Sequence, residues 1–282
     1  MTISIEDDRV AAGSPSSEGI NGDLESWLAL NLPVDGIWAP EGTIAPCPPE
    51  PLMYRTSGLT DPFGFASHGV HFLRSLSALS PVPLKDFRAV LDFGVGAGRI
   101  ARMFHGFHGT YVGVDIDADL VAWLNGHLGH VKAIKTEPRQ RLPLADASFD
   151  AVISISVFSH LAEADHRFYL GELARVCAPG AVLMLSIHGK RALERALGEK
   201  MIFDMLSIPR RSLEEVEHRF ANGPCYGFIR QSGHLSSATY DYGITFISEP
   251  YIRAEWTRHF DLVDIGIGAL HDFQDVVVLR VR

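Results

Sequence analysis

The chain has 282 residues, 34 Asp and Glu against 25 Lys and Arg, a formal charge of −9 and 46% apolar composition. That length buries a large core and suits one elaborated domain. The negative balance argues against nucleic acid as a partner, because such binding draws on a basic stripe. The two basic clusters, Arg139-Gln140-Arg141 and Arg210-Arg211, read as solvated surface.

No apolar run reaches the roughly 20 residues that span a bilayer, so no membrane partner is expected. The segment Met1-Thr2-Ile3-Ser4-Ile5-Glu6 lacks the basic and apolar regions of a secretory signal. Cys47, Cys177 and Cys225 are scattered without metal-type spacing and there is no His-x-x-x-His, so no metal site is expected. A reduced, cytoplasmic compartment is the simplest reading. The sequence shows no internal repeat.

Residues 1 to about 22 are rich in Ser, Gly, Asp and Glu and read as a mobile tail. Residues 40–51 carry five prolines and read as an extended arm. Apolar spacing at Phe65, Val70, Phe72, Leu73 and Leu76 predicts a helix over 61–80. Strands follow at 88–94, 110–115, 131–135, 149–155 and 181–187, with helices between them. That alternation predicts a parallel sheet covered on both faces.

Glu249-Pro250 through His259 reads as a last helix, and the runs beginning at Phe260 and Asp275 as an antiparallel hairpin. Residues from about 190 to 247 exceed any ordinary connection. An insertion there sits above the C-terminal edge of the strands and suggests a substrate cap, or alternatively a structural embellishment. Residues 1–50 thus form the tail and proline-rich arm, and 51–282 the α/β domain with its inserted cap.

The most specific segment is Val90-Leu91-Asp92-Phe93-Gly94-Val95-Gly96-Ala97-Gly98-Arg99-Ile100. It reads as strand, glycine turn and helix, with the positive end of that helix aimed at a ligand's acidic group. A dinucleotide fingerprint, G-x-G-x-x-G, needs its third glycine where Arg99 stands. Here the spacing is G-x-G-x-G. Thr110-Tyr111-Val112-Gly113-Val114-Asp115 then places an acid at the end of the second strand, beside the turn.

These residues resemble motif I and its following acid in the class I S-adenosylmethionine (SAM) methyltransferases. Leu142-Pro143-Leu144-Ala145-Asp146-Ala147-Ser148-Phe149-Asp150 and Glu172 through Gly180 are similar to later stretches of the same family. The resemblance implies a Rossmann-like, doubly wound seven-stranded sheet with an antiparallel last strand. It implies SAM as cofactor, with Gly94, Gly96 and Gly98 around the methionine part. Asp92 would help hold the amino group, Asp115 would take the ribose hydroxyls, and Ile116 would pack on adenine. The acid that many relatives use for the adenine amino group is missing, and Thr136 or Glu137 is its expected substitute.

Arg55, in Tyr54-Arg55-Thr56-Ser57-Gly58, is a candidate two-pronged donor to the methionine carboxylate. His160 is the leading candidate base, with a role in capping or orienting the next helix as its alternative. His188 is the second candidate, and His271 beside Asp272 the third; the remaining histidines are assigned to the surface. Tyr226, Phe228, Arg230, His234, Tyr240 and Tyr242 suit a pocket for a ring-bearing molecule, or the insertion's own core. The expected function is methyl transfer to a small molecule, most readily O-methylation of a sugar or secondary metabolite. A catalytically inactive SAM-binding sensor or scaffold is the alternative, and an NAD-type oxidoreductase is disfavoured by the position of Gly98. The sequence leaves oligomeric state open.

Overall fold

The computed structural model describes residues 18–231 and 241–282. Most of the proposed tail, together with His234 and Tyr240, lies outside the described residues. Strands β1 (Ala89–Phe93), β2 (Thr110–Asp115), β3 (Val131–Lys135), β4 (Phe149–Ser154) and β5 (Cys177–Ile187) are parallel. Strands β8 (Phe260–Leu270) and β9 (Gln274–Val281) complete a seven-stranded sheet in the order β3-β2-β1-β4-β5-β9-β8. β9 is antiparallel to both neighbours, which gives the reversed closing strand.

Near-continuous apolar runs in the central strands follow from cover on both faces. Val90, Ile153, Met184, Val276 and Val278 pack on one side with helix α3 (Pro62–Leu79) and helix α4 (Ala118–His127). Leu91, Val152, Leu183, Val277 and Leu279 pack on the other, with helix α5 (Glu163–Val176) and Trp256. The two lists alternate along β9, as the two-residue period of a strand requires. Asp61 caps α3 by accepting from the Gly64 N–H at 2.6 Å, and Asp117 caps α4 through Asp119 N–H at 2.9 Å.

Three details depart from the sequence reading. No α-helix follows the glycine turn; a single 3-10 turn, Ala101–Phe104, takes its place. Its growth is stopped where Gly106 turns at φ +82° and the His105 carbonyl accepts from the Ile20 N–H at 3.3 Å. Second, β5 starts at Cys177 and bulges between Phe149 and Ala151 on its partner strand, because Gly180 turns at φ +83° within it. Third, helix α1 (Leu24–Leu30) lies in a stretch for which no element was expected.

That helix is part of the core. Trp27 and Leu28 are buried, and the Trp27 indole N–H donates to the Met103 carbonyl at 2.8 Å. Arg74 of α3 clasps Glu25 at 2.7 Å. Helix α2 (Glu50–Ser57) follows and ends at Gly58, whose φ of +69° is the usual left-handed stop.

After β5 come α6 (Lys190–Gly198), α7 (Lys200–Leu206), α8 (Arg210–Ala221) and a hairpin of β6 (Tyr226–Arg230) with β7 (Gly243–Ile247). This unit has its own apolar cluster, built on Leu193, Leu213, Val216 and Phe246. Helix α9 (Glu249–Glu255) leads back to the sheet. Trp27→Ala is expected to cost about 3–5 kcal/mol of stability, the ordinary range for a buried Trp. Chemical denaturation checks it; a loss under 1 kcal/mol would show that α1 does not belong to the cooperative core.

Candidate functional site

The glycine turn closes on itself. Gly94, Gly96 and Gly98 all have positive φ, at +81°, +56° and +81°. A Cβ on Gly94 would lie 2.3 Å from Val157 Cγ2, and one on Gly96 would lie 2.6 Å from Thr56 Cγ2. Every amide in the turn has an acceptor. Gly94 and Val95 N–H donate to the Val114 carbonyl at 2.9 and 3.1 Å, and Gly98 N–H to the Val95 carbonyl at 3.0 Å. Gly96 N–H donates to Asp115 Oδ2 at 2.8 Å, and Ala97 N–H to Thr56 Oγ1 at 2.9 Å.

Asp115 stands at the end of β2 as expected, and its second oxygen accepts from the Asp117 N–H at 2.9 Å. Burial raises its pKa, and the Asp117 and Gly96 amides oppose that rise. Asp92 lies beneath the turn, where it accepts from the Tyr111 hydroxyl at 2.7 Å. Burial pushes its carboxyl up to about 7, against the lowering effect of Tyr111. Ile116 and Thr136 are half-buried beside Asp115, and Thr136 N–H donates to the Asp115 carbonyl at 2.8 Å. Glu137 is exposed and pairs with Lys135.

Arg55 is anchored by two acids: its Nη1 lies 2.8 Å from Asp117 and 3.1 Å from Asp119, which fixes the side chain proposed to meet a ligand carboxylate beside the turn. Its neighbour Thr56 is the residue of α2 that touches the turn. Sequence reading passed over Thr56, although a hydroxyl beside Arg55 in the same stretch was a usable signal.

The loops after β4 and β5 carry the histidines. His160 Nδ1 is 2.8 Å from the Gly243 carbonyl, and its ring stacks on Tyr242 at 4.9 Å and 9°. The N-cap of α5, Ala162, makes no side-chain cap hydrogen bond. The β6–β7 hairpin is joined to these loops by main chain: Thr245 N–H donates to the Ser159 carbonyl at 2.8 Å and Ile247 N–H to the His188 carbonyl at 2.9 Å. Tyr226 is buried and donates to the Leu161 carbonyl at 2.8 Å, so it belongs to the core on the α5 face of the sheet. Phe228 also packs against core, and Arg230 pairs with Asp241 at 2.8 Å. Of the expected pocket residues among those described, Tyr242 alone stacks on a candidate base.

His188 ends β5 near His160, with ring centroids 5.9 Å apart. It is 2% exposed, its Nδ1 has no partner, and burial with help from His160 pushes it down to about 3. Those are the properties of a neutral core ring, not of a base working near neutrality. His271 does not pair with Asp272. That carboxylate goes to Arg191 at 2.5 Å, while the His271 ring stacks on His71 at 4.5 Å and meets His68 edge-on at 4.2 Å. Partial burial, then His68 and His71, lower His271 to about 4.

Two further features escaped the sequence. Ser156 holds a left-handed φ of +59° just after β4, with its N–H donating to Ser186 Oγ at 2.7 Å and its hydroxyl beside Gln274. A strained non-glycine residue of this kind leaves no mark in composition. His166 is fully buried among Phe158, Tyr226, Tyr251 and Trp256, which corrects its assignment to the surface. It shares the inward face of α5 with Tyr169, Leu170 and Leu173. Among the described residues, no group of three or more His, Cys, Asp or Glu is placed to hold a metal ion.

Sheet order, reversed β9 and the Asp115-backed glycine turn together define the class I methyltransferase architecture. Residues 91–185 match the family described as methyltransferase domain, which supports a SAM-dependent methyltransferase. An uncharacterized methyltransferase of Anoxybacillus flavithermus is 26% identical over 108 residues, covering 38% of this chain and 50% of that protein. One of Mycobacteroides abscessus is 36% identical over 104 residues, covering 35% and 39%. The chain thus spans half or less of the length of these relatives. A crystal structure of a Pyrococcus horikoshii protein shares the fold, with TM-score 0.53, 18% identity, and 74% of this chain and 89% of that chain covered.

Asp115→Ala removes an acceptor of the Gly96 amide as well as the expected ribose partner. We expect at least tenfold weaker binding of S-adenosylhomocysteine by calorimetry; unchanged affinity would contradict the assignment. A second expectation concerns acid stability. Burial, then Arg167, pushes His166 down to about 3. An unfolded His near 6.5 takes up a proton that the folded ring refuses, so stability is present above about pH 6.5 and is lost as pH falls toward 3. His166→Phe should therefore lose about 2 kcal/mol less than the parent between pH 7 and 5. Asp92 and Asp275, both raised, act in the opposite sense and cancel in this comparison. Parallel losses in both proteins would remove His166 as a source of acid sensitivity.

Proposed function

We propose that the protein is an enzyme that transfers a methyl group from SAM to a small-molecule hydroxyl. The observation that carries the choice of cofactor is the state of the turn amides. A dinucleotide pyrophosphate needs free N–H donors and the positive end of a helix. Here all five amides from Gly94 to Gly98 are engaged and only a 3-10 turn follows. What the turn offers is acceptors: backbone carbonyls, and the carboxylates of Asp115 and Asp92. That set fits the ammonium and ribose hydroxyls of SAM.

Asp115 would hold the ribose, the Gly94–Gly98 turn the methionine part, and Asp92 would support the amino group from beneath. Ile116 and Thr136 would border the adenine. When bound, SAM supplies an electrophilic methyl group on a sulfonium. The chain's own contribution is alignment and a proton acceptor. The Gly243 carbonyl can only accept, so His160 Nδ1 carries the ring hydrogen and Nε2 the lone pair. Nε2 is therefore the atom that would take the hydroxyl proton as a new carbon–oxygen bond forms.

A small-molecule acceptor is supported by the cap, whose hairpin is fastened over the loops that carry His160 and His188. The basic pairs offer nucleic acid little: Arg139 is paired with Asp165, Arg141 with Asp146, Arg210 with Glu214 and Arg211 with Glu215. Among the described residues no helix is long and apolar enough to cross a membrane, and the three cysteines are unpaired. A cytoplasmic setting accords with those free thiols.

The test is turnover of SAM to S-adenosylhomocysteine against a panel of hydroxyl, amine and thiol acceptors, followed by mass spectrometry. Product from hydroxyls is expected; product from amines alone would overturn the O-methylation reading. With a working acceptor, His160→Ala should lower kcat by about 10²–10⁴-fold, the usual range for a lost general base. Its affinity for S-adenosylhomocysteine should hold. Unchanged kcat would take the proton-acceptor role from His160.

A further inference from the structure

Away from the glycine turn, the proline-rich arm roofs a cavity of about 820 Å³ against the segments that lead into β2 and β3. Trp38, Ile44 and Pro46 give it apolar walls, and Gly129 and three imidazoles, His105, His127 and His130, form the facing side. None of its wall residues belongs to the glycine turn, to Asp115–Asp117, or to the loops after β4 and β5. The volume is that of a small-molecule site, and an apolar lining with a few polar groups is the usual composition of one.

Arg102 also lines it, and its condition is unusual. The side chain is 1% exposed. Its Nη2 donates to the Ala45 carbonyl at 2.7 Å, its Nη1 meets only the Met103 sulfur at 3.7 Å, and its Nε has no partner. Among the described residues, no carboxylate forms an ion pair with it. The ionisable group that acts on it is the Cys47 thiol, which burial keeps in its neutral form. A buried guanidinium is costly unless paired. Glu41, the acid at the wall, is exposed and makes no pair with it.

We propose that this cavity binds a ring-bearing organic anion, its rings against Trp38, Ile44 and Pro46 and its negative group toward the Arg102 side. The charge supplies what the protein leaves unpaired. Imidazoles at the wall add donors and ring faces: His127 lies parallel to Trp123 at 5.0 Å, and His105 is edge-on to His130 at 5.4 Å. This site is separate from the methyl-transfer crevice and does not depend on the reading of that crevice.

The probe is 8-anilinonaphthalene-1-sulfonate, titrated by fluorescence into the folded full chain at pH 7.5. One saturable site is expected. N-phenyl-1-naphthylamine, the same ring set without the sulfonate, should bind at least tenfold more weakly. A Cβ at Gly129 meets nothing within 4 Å, so Gly129→Phe can fill the cavity without displacing core. It should weaken the probe at least tenfold and leave S-adenosylhomocysteine binding unchanged. Arg102→Met should do the same where near-ultraviolet circular dichroism shows it folded; Gly129→Phe and the neutral analogue decide the matter if it does not fold. Absence of saturable binding, full affinity in folded Gly129→Phe, equal affinity of the neutral analogue, or displacement by S-adenosylhomocysteine would each overturn the proposal.

Discussion

The hydrogen bond from the Gly96 amide to the Asp115 carboxylate, 2.8 Å long, ties the first strand's turn to the end of the second strand. The rest of the site depends on it. It fixes which face of the turn is open, it uses up an amide that a phosphate would otherwise claim, and it orients the acid expected to meet a ribose. Thr56 completes the closure from the other side through Ala97. A turn whose donors are all engaged presents acceptors, and a ligand rich in donors is its natural counterpart.

Much of this was legible in the chain. Strand ends at 110–115 and 131–135 fell where expected, because short apolar runs bounded by glycine and charge leave few alternatives. The helix over 61–80 was read from its apolar spacing, and the structure opens it at Pro62 behind the Asp61 cap. The helix after the glycine turn was read from local pattern and is not there. Tertiary contacts ended it: Arg102 turned inward to Ala45, and Gly106 met the segment entering α1. Local pattern carries no trace of a partner some 57 residues away in sequence.

The histidines show the same limit. His160 and His188 follow β4 and β5, and His271 lies in the turn between β8 and β9, beside the end of β5. Their environments could not be read from position. Phe246 of β7 and Phe273 pack on the buried His188, Arg191 draws Asp272 away from His271, and the Gly243 carbonyl meets the ring of His160. What separates His160 from the packed ring of His188 is set by the hairpin, which comes from an insertion far along the sequence, whereas the surroundings of His271 come from α3 and α6.

The account's central claim is that this turn receives SAM and not a dinucleotide. Calorimetric titration of the full chain with S-adenosylhomocysteine, and separately with NADH, tests it most directly. The account predicts saturable one-to-one binding of S-adenosylhomocysteine and none of NADH. Binding of NADH, or no binding of S-adenosylhomocysteine, would contradict it.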